Sequence, residues 1–190
     1  MIKQIKSQQD GRSMVEILGV LAIIGILSVG GIAGYSKAMA KYKLTKTQDQ
    51  LQLLTINIRS AFAGSASFED LTNTSAVKLN IVPAEMLPGG LGTEVTKEGG
   101  IINAFSGGVI LKAKDGNNQH FTIEFNKLGG VTCTSLASSD WGTEGLVKMT
   151  VGNGTSEVET YQENLPLPAS VAVNYCNGTN DQNHIVWEYY

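Results

Sequence analysis

Hydrophobic and polar positions change character twice along this chain. From Ile17 to Tyr35 no residue is charged, and only Ser28 and Tyr35 carry polar side-chain groups. A helix of that length rises about 28 Å at 1.5 Å per residue, close to the roughly 30 Å hydrocarbon core of a bilayer. Beyond Ser36 the pattern becomes amphipathic. Ala40, Leu44, Leu51, Leu54, Ile58 and Phe62 recur at helical spacing, while Lys43, Lys46, Asp49 and Gln52 take the other face. No proline occurs from Met1 to Val82, and Gly64-Ser65 is a plausible stop. The pattern predicts one helix over about residues 13–63, roughly 75 Å long. Its apolar half is expected to protrude and its amphipathic half to pack into a head. A soluble monomer does not leave an apolar surface of that size exposed. Such a helix needs a membrane or a polymer of like helices.

After residue 64 the helical period is lost. Thr72-Asn73-Thr74-Ser75 and Pro88-Gly89-Gly90 read as loops, and Val82–Leu87 as a short helix opened by Pro83. Val109–Lys114 alternates and ends in the turn cluster Asp115-Gly116-Asn117-Asn118. His120–Phe125 places Phe121, Ile123 and Phe125 on one face, so the two stretches predict a hairpin. Val131–Ser138 reads as a short helix, Leu146–Val151 as a strand, Pro168–Tyr175 as a helix and His184–Tyr190 as a last strand. Strand, strand, helix, strand, helix, strand after a long helix is an α+β arrangement, with an antiparallel sheet in a C-terminal globular head packed on the amphipathic half.

Composition narrows the function. Charged residues make up 16% of the chain, against roughly 25% in average soluble proteins. A net charge of -3 supplies no basic face and hence no direct nucleic-acid motif. Cys133 and Cys176 lie far apart, as do His120 and His184, so no metal-ligand spacing is present and no cofactor is expected. There is no phosphate loop and no nucleophile elbow, which argues against an enzyme. His120 reads as a sheet-surface residue, and Asp140 and Glu144 as solvated loop acids. The acidic residues lack a dense calcium-loop spacing.

The start of the chain carries the chemistry. Met1–Gly11 is short, polar and slightly basic, with Lys3, Lys6 and Asp10, and no apolar core precedes Gly11. Lys3, Lys6 and Arg12 ahead of the span keep that end cytoplasmic and send the remainder outward. The two cysteines and the glycine-rich remainder suit an oxidising exterior. Glu16 stands at the leading edge of the apolar run. An acid at the centre of a membrane helix costs about 2.5–3.5 kcal/mol on insertion scales, and acids in such positions tend to be paired and functional.

Gly11-Arg12-Ser13-Met14-Val15-Glu16 followed by an apolar helix resembles the cleavage region of type IV pilins. Asn103-Ala104-Phe105-Ser106-Gly107-Gly108 resembles the element that precedes the sheet in type IVb pilins, the class of the toxin-coregulated and bundle-forming pilins. The resemblance implies a leader over residues 1–11, a transmembrane and filament-core half over 12–35, an amphipathic half over 36–64 and a head over 65–190. It implies that a prepilin peptidase cuts between Gly11 and Arg12 and methylates the new terminus. The family usually has an apolar or aromatic residue where this chain has Arg12.

Glu16 would then be the assembly glutamate, pairing with the free amine of Arg12 on a neighbouring subunit. A mis-registered subunit would leave a charge buried and unpaired. The implied partners are identical subunits in a helical homopolymer, the peptidase, the inner-membrane assembly machinery, and the lipid bilayer before assembly. The implied location is the bacterial inner membrane for the precursor and an extracellular pilus for the product, serving adhesion, aggregation or DNA transfer. Cys133 and Cys176 are expected to pair as the C-terminal disulfide, with two buried free thiols as the other reading. Gly30-Gly31 is expected to be a flexible point, and Gly30 and Gly34 form a small-residue pair that lets helices approach. The matches to the glycosylation sequon at Asn73, Asn153 and Asn177 are taken as chance. A minor pilin, a type II secretion pseudopilin or a single-pass anchored binding domain are the alternative functions.

Overall fold

A computed structural model describes residues 13–90, 94–142, 144–179 and 182–190. The chain divides into two units, Met1–Tyr42 and Lys43–Tyr190. Helix α1, Met14–Ala61, contributes to both.

In the first unit α1 carries the apolar run as regular helix, and none of its most hydrophobic window is buried by the described residues. Its two hydroxyls are satisfied by the helix itself. Ser28 Oγ donates to Ile24 O at 2.7 Å and Ser36 Oγ to Ile32 O at 3.0 Å. Bonding to the carbonyl four residues back removes their need for water, so they do not interrupt an apolar surface.

In the second unit the same helix becomes one wall of a core. Thr47, Gln50, Leu51, Leu54, Thr55 and Ile58 are buried, which follows the predicted stripe. The helix ends at Ala61, just ahead of the Gly64-Ser65 stop. Helix α2, Asn73–Lys78, lies where the sequence reads as a loop. Thr72 and Ser75 form a reciprocal cap: Thr72 Oγ1 accepts from Ser75 N at 3.2 Å and Ser75 Oγ accepts from Thr72 N at 2.8 Å. Side chains that suit turns are the same ones that start helices. A helix of this length has too few residues to show a period. The expected helix at Val82–Leu87 is a single 3-10 turn, Ala84–Met86, with Pro83 at its N-cap.

Strands β1, Val109–Lys114, and β2, Asn117–Leu128, form the predicted hairpin. The connection is only Asp115-Gly116, with Gly116 at φ +78°, a left-handed conformation that glycine adopts without cost. Helix α3, Gly130–Ala137, strand β3, Leu146–Gly152, helix α4, Ala169–Tyr175, and strand β5, Asn183–Tyr189, stand where expected. Strand β4, Glu157–Tyr161, is an addition to the predicted set. It is a short edge strand with Thr160 as its one buried residue, so it lacks the apolar alternation that marks a half-buried strand.

The sheet is antiparallel with order β1-β2-β5-β3-β4. The last strand in sequence therefore lies in the middle. Phe121, Ile123, Phe125, Met149, Val151, Ile185 and Trp187 from the sheet share one buried cluster with Leu51, Leu54 and Ile58 from α1. Trp187 makes edge contacts with Phe125 and Trp141, at 5.4 and 5.2 Å between ring centroids.

Two asparagines lock the segment before the sheet. Asn103 Oδ1 accepts from Phe105 N at 2.9 Å and Gly107 N at 3.0 Å, while its Nδ2 donates to Asn126 O at 3.0 Å. A Cβ on Gly107 would lie 1.8 Å from Asn126 O, so only glycine allows this approach. Asn73, at the start of α2, donates to Val109 O at 2.7 Å and accepts from Leu111 N at 2.8 Å. One side-chain amide thus pairs with the outer edge of β1 as a neighbouring strand would.

Candidate functional site

The residues singled out by the sequence fall into separate places. Gly11 and Arg12 lie outside the described residues. Glu16 sits in the first turn of α1, where its Oε2 accepts from the main-chain N–H of Ser13 at 3.3 Å. A carboxylate three residues into a helix that reaches back to the N-cap N–H satisfies an otherwise orphaned donor. It also stands where the helix dipole favours negative charge. The Ser13-x-x-Glu16 spacing was the sequence signal for this contact. From Ile17 through Gly34 the helix surface is apolar and exposed. Leu21, for example, is 58% exposed.

In the second unit Cys133 of α3 and Cys176, next after α4, form a disulfide with Cα atoms 5.6 Å apart. Both residues are buried. The bridge encloses β3, β4 and α4, and its long loop restricts the unfolded chain.

The α1 side of the head is joined to the chain before the sheet by a polar network. Lys46 Nζ lies 3.1 Å from Glu85 Oε2, Gln50 Nε2 donates to Glu85 Oε1 at 3.2 Å, and Ala104 N donates to Gln50 Oε1 at 3.1 Å. Partial burial pushes the Glu85 carboxyl up, but the bonds from Lys46 and Gln50 outweigh it, and the net shift is downward. Arg59, in the last turn of α1, donates to Tyr190 O at 2.9 Å and lies over the Tyr189 ring at 5.5 Å. Burial raises the Tyr189 hydroxyl to about 12, against smaller opposing effects of Thr55 and Arg59.

The opposite face of the sheet carries charge. Glu188 on β5 is nearly buried and meets His120 Nδ1 of β2 at 2.9 Å, with Lys114 Nζ and Lys148 Nζ each at 3.9 Å. Lys148 also meets Glu159 of β4 at 2.7 Å, and His184 Nε2 meets Glu157 at 3.0 Å. The bond to Glu159 raises the Lys148 pKa; burial opposes this, and the charges of Glu159 and Glu188 assist it. The two histidines read as isolated in sequence are thus each paired with a carboxylate brought from another strand. Asp140 accepts from Gly142 N at 2.9 Å and so caps a turn. Asn73 and Asn153 are buried with their amides engaged. Their sequon matches therefore coincide with structural asparagines. Among the described residues no group of three or more His, Cys, Asp or Glu is placed to hold a metal ion.

This arrangement offers an exposed apolar helix and a cross-linked head, which suits assembly. Comparison with known proteins bears on this. The family model described as PilS N terminal matches residues 41–189. Among solved structures, the type IV b pilin from Salmonella typhi has the same fold, with a TM-score of 0.50 and 20% identity over 78% of this chain and 98% of that one. A comparison with curated proteins finds no match. With its long N-terminal helix, five-stranded antiparallel sheet and Cys133–Cys176 bridge, the chain has the fold of a type IV b pilin, and it belongs to the family whose model is described as PilS N terminal.

Proposed function

We propose that the chain is made as a prepilin in the bacterial inner membrane, is cleaved between Gly11 and Arg12, and polymerises through α1 into an extracellular filament. The observation that carries this reading is the apolar run after Glu16: a regular helix, long enough to cross a bilayer, with none of its hydrophobic window buried by the described residues. Lipid covers that surface before assembly, and identical helices cover it afterwards. Glu16 supplies register. Among the described residues its one hydrogen bond is to its own helix start, through Oε2, which leaves the other carboxylate oxygen to receive the amine of Arg12 from a neighbouring subunit. The surface filament serves adhesion, aggregation or DNA transfer, and its partners are the peptidase and the inner-membrane assembly machinery.

The deciding experiment is mass spectrometry of surface-sheared material. A chain starting at Arg12, with or without a methyl group, is the expected result. A chain that still starts at Met1 and stays in the membrane fraction would overturn the reading in favour of a membrane-anchored domain. Glu16→Ala is expected to insert and be processed normally, yet to be excluded from filaments when co-expressed with wild type. Equal incorporation of the two would remove the register role.

A further inference from the structure

Four lysines follow the apolar run, Lys37, Lys41, Lys43 and Lys46, and no acidic residue occurs between Glu16 and Asp49. The head uses two of them. Lys46 pairs with Glu85 at 3.1 Å, and Lys43 lies over the Phe105 ring at 5.8 Å. Lys37 and Lys41 are exposed and make no ion pair with any described residue. They sit four apart, on one face of α1. Tyr35 and Tyr42, 66% and 58% exposed, sit seven apart on another.

We infer that Tyr35, Lys37, Lys41 and Tyr42 form a collar that docks the anionic headgroups of the bilayer where the span emerges. The inference rests on the membrane insertion proposed above. Depth is the first argument. Tyr35 lies about 28 Å along the helix from Glu16, so it reaches the far edge of a roughly 30 Å hydrocarbon layer. The next turns, up to Tyr42, rise about 10 Å, comparable with a headgroup layer of roughly 5–8 Å and the water beside it. Tyrosine suits that boundary because its ring is apolar and its hydroxyl is wet. Lysine suits it because its stem lies along apolar surface while the ammonium reaches the phosphates.

Charge is the second argument. The stretch carries cations and no carboxylate, so its occupant must bring negative charge. A second copy aligned at the same level would set lysine against lysine. The distribution around the helix is the third. Lysines and tyrosines occupy different faces, and lipid surrounds a lone helix on all sides, whereas a protein partner would use one.

The test uses the full chain reconstituted in phosphatidylcholine vesicles. Trace spin-labelled phosphatidylglycerol or phosphatidylcholine is added, and the motionally restricted fraction of each is read by electron paramagnetic resonance. Wild type is expected to hold the anionic lipid roughly threefold or more over the zwitterionic one, as two lysines near an anionic surface should. The preference should shrink at about 1 M salt, where the Debye length falls to about 3 Å. It should fall in the K37Q/K41Q double variant, to the share that Lys3, Lys6 and Arg12 hold at the other end of the span, and survive in K37R/K41R. Equal association of both lipids with wild type, or an undiminished preference in K37Q/K41Q, would overturn the inference while leaving the span intact. A chain that restricts neither lipid would overturn the span, and the collar with it.

Discussion

Helix α1 is one element with two different fates. In the unit Met1–Tyr42 its side chains are exposed, with Leu21 at 58%. In the unit Lys43–Tyr190 its inner stripe is buried in a cluster that also holds Trp187 at 0%. Backbone hydrogen bonding is the same in both. The difference shows that a helix ladder sets no partner, and that the side-chain pattern decides whether the partner is this chain or something else. Where the apolar stripe is narrow, the helix is completed by its own sheet. Where the apolar surface runs all the way round, none of the described residues completes it.

That contrast is open to attack, and the largest expected effect comes from the buried side. Trp187→Ala should cost about 3–5 kcal/mol of head stability, read from chemical unfolding followed by near-ultraviolet dichroism. Leu21→Ala should leave the same midpoint within about 0.5 kcal/mol, although both remove a large apolar side chain. A fall with Leu21→Ala matching that of Trp187→Ala would show that the head draws stability from the first unit after all.

Removing the bridge with Cys133→Ser and Cys176→Ser together should cost about 4 kcal/mol in the chain-entropy model, with a lower steady-state level under oxidising conditions. An unchanged melting temperature would show that the enclosed segment holds itself. Next in size, Asn73→Ala removes both side-chain bonds to the edge of β1 and should cost about 2 kcal/mol. Hydrogen exchange at Leu111 N–H should quicken more than at other head amides.

The smallest effect is the response to pH. Tyr189 and Lys148 have raised pKa values in the folded state. Their contributions are therefore complete below the unfolded values of about 10 and 10.4 and are lost as pH rises through the folded ones. Head stability should decline from about pH 10 toward pH 12, and Tyr189→Phe should flatten part of that decline. Glu85 has a lowered pKa, so its contribution is present above about pH 4.3 and is lost on acidification. Its exposure and the solvent screening that follows make this the weaker limb.

Much of this was legible in the chain because it is local. The apolar run, the amphipathic stripe through Leu51, Leu54 and Ile58, the β1–β2 hairpin around Asp115-Gly116 and the helices beside each cysteine all depend on near neighbours and a fixed period. The helix-start spacing of Ser13 and Glu16 is equally local. Strand β4 was not legible, because an edge strand with one buried residue carries almost no pattern. Helix α2 was not, because its cap residues also spell a turn.

The long helix, its change from all-round to one-sided hydrophobicity and the α+β class of the head could all be read from the chain. Those follow from spacing along the backbone. Tertiary structure alone decided that β5 enters between β2 and β3, that Asn73 closes the edge of β1, and that His120, Lys114 and Lys148 converge on Glu188. Each of these joins residues tens of positions apart. Such contacts form only once packing of the whole core outweighs the entropy of closing the loops between them, and no single segment carries that balance.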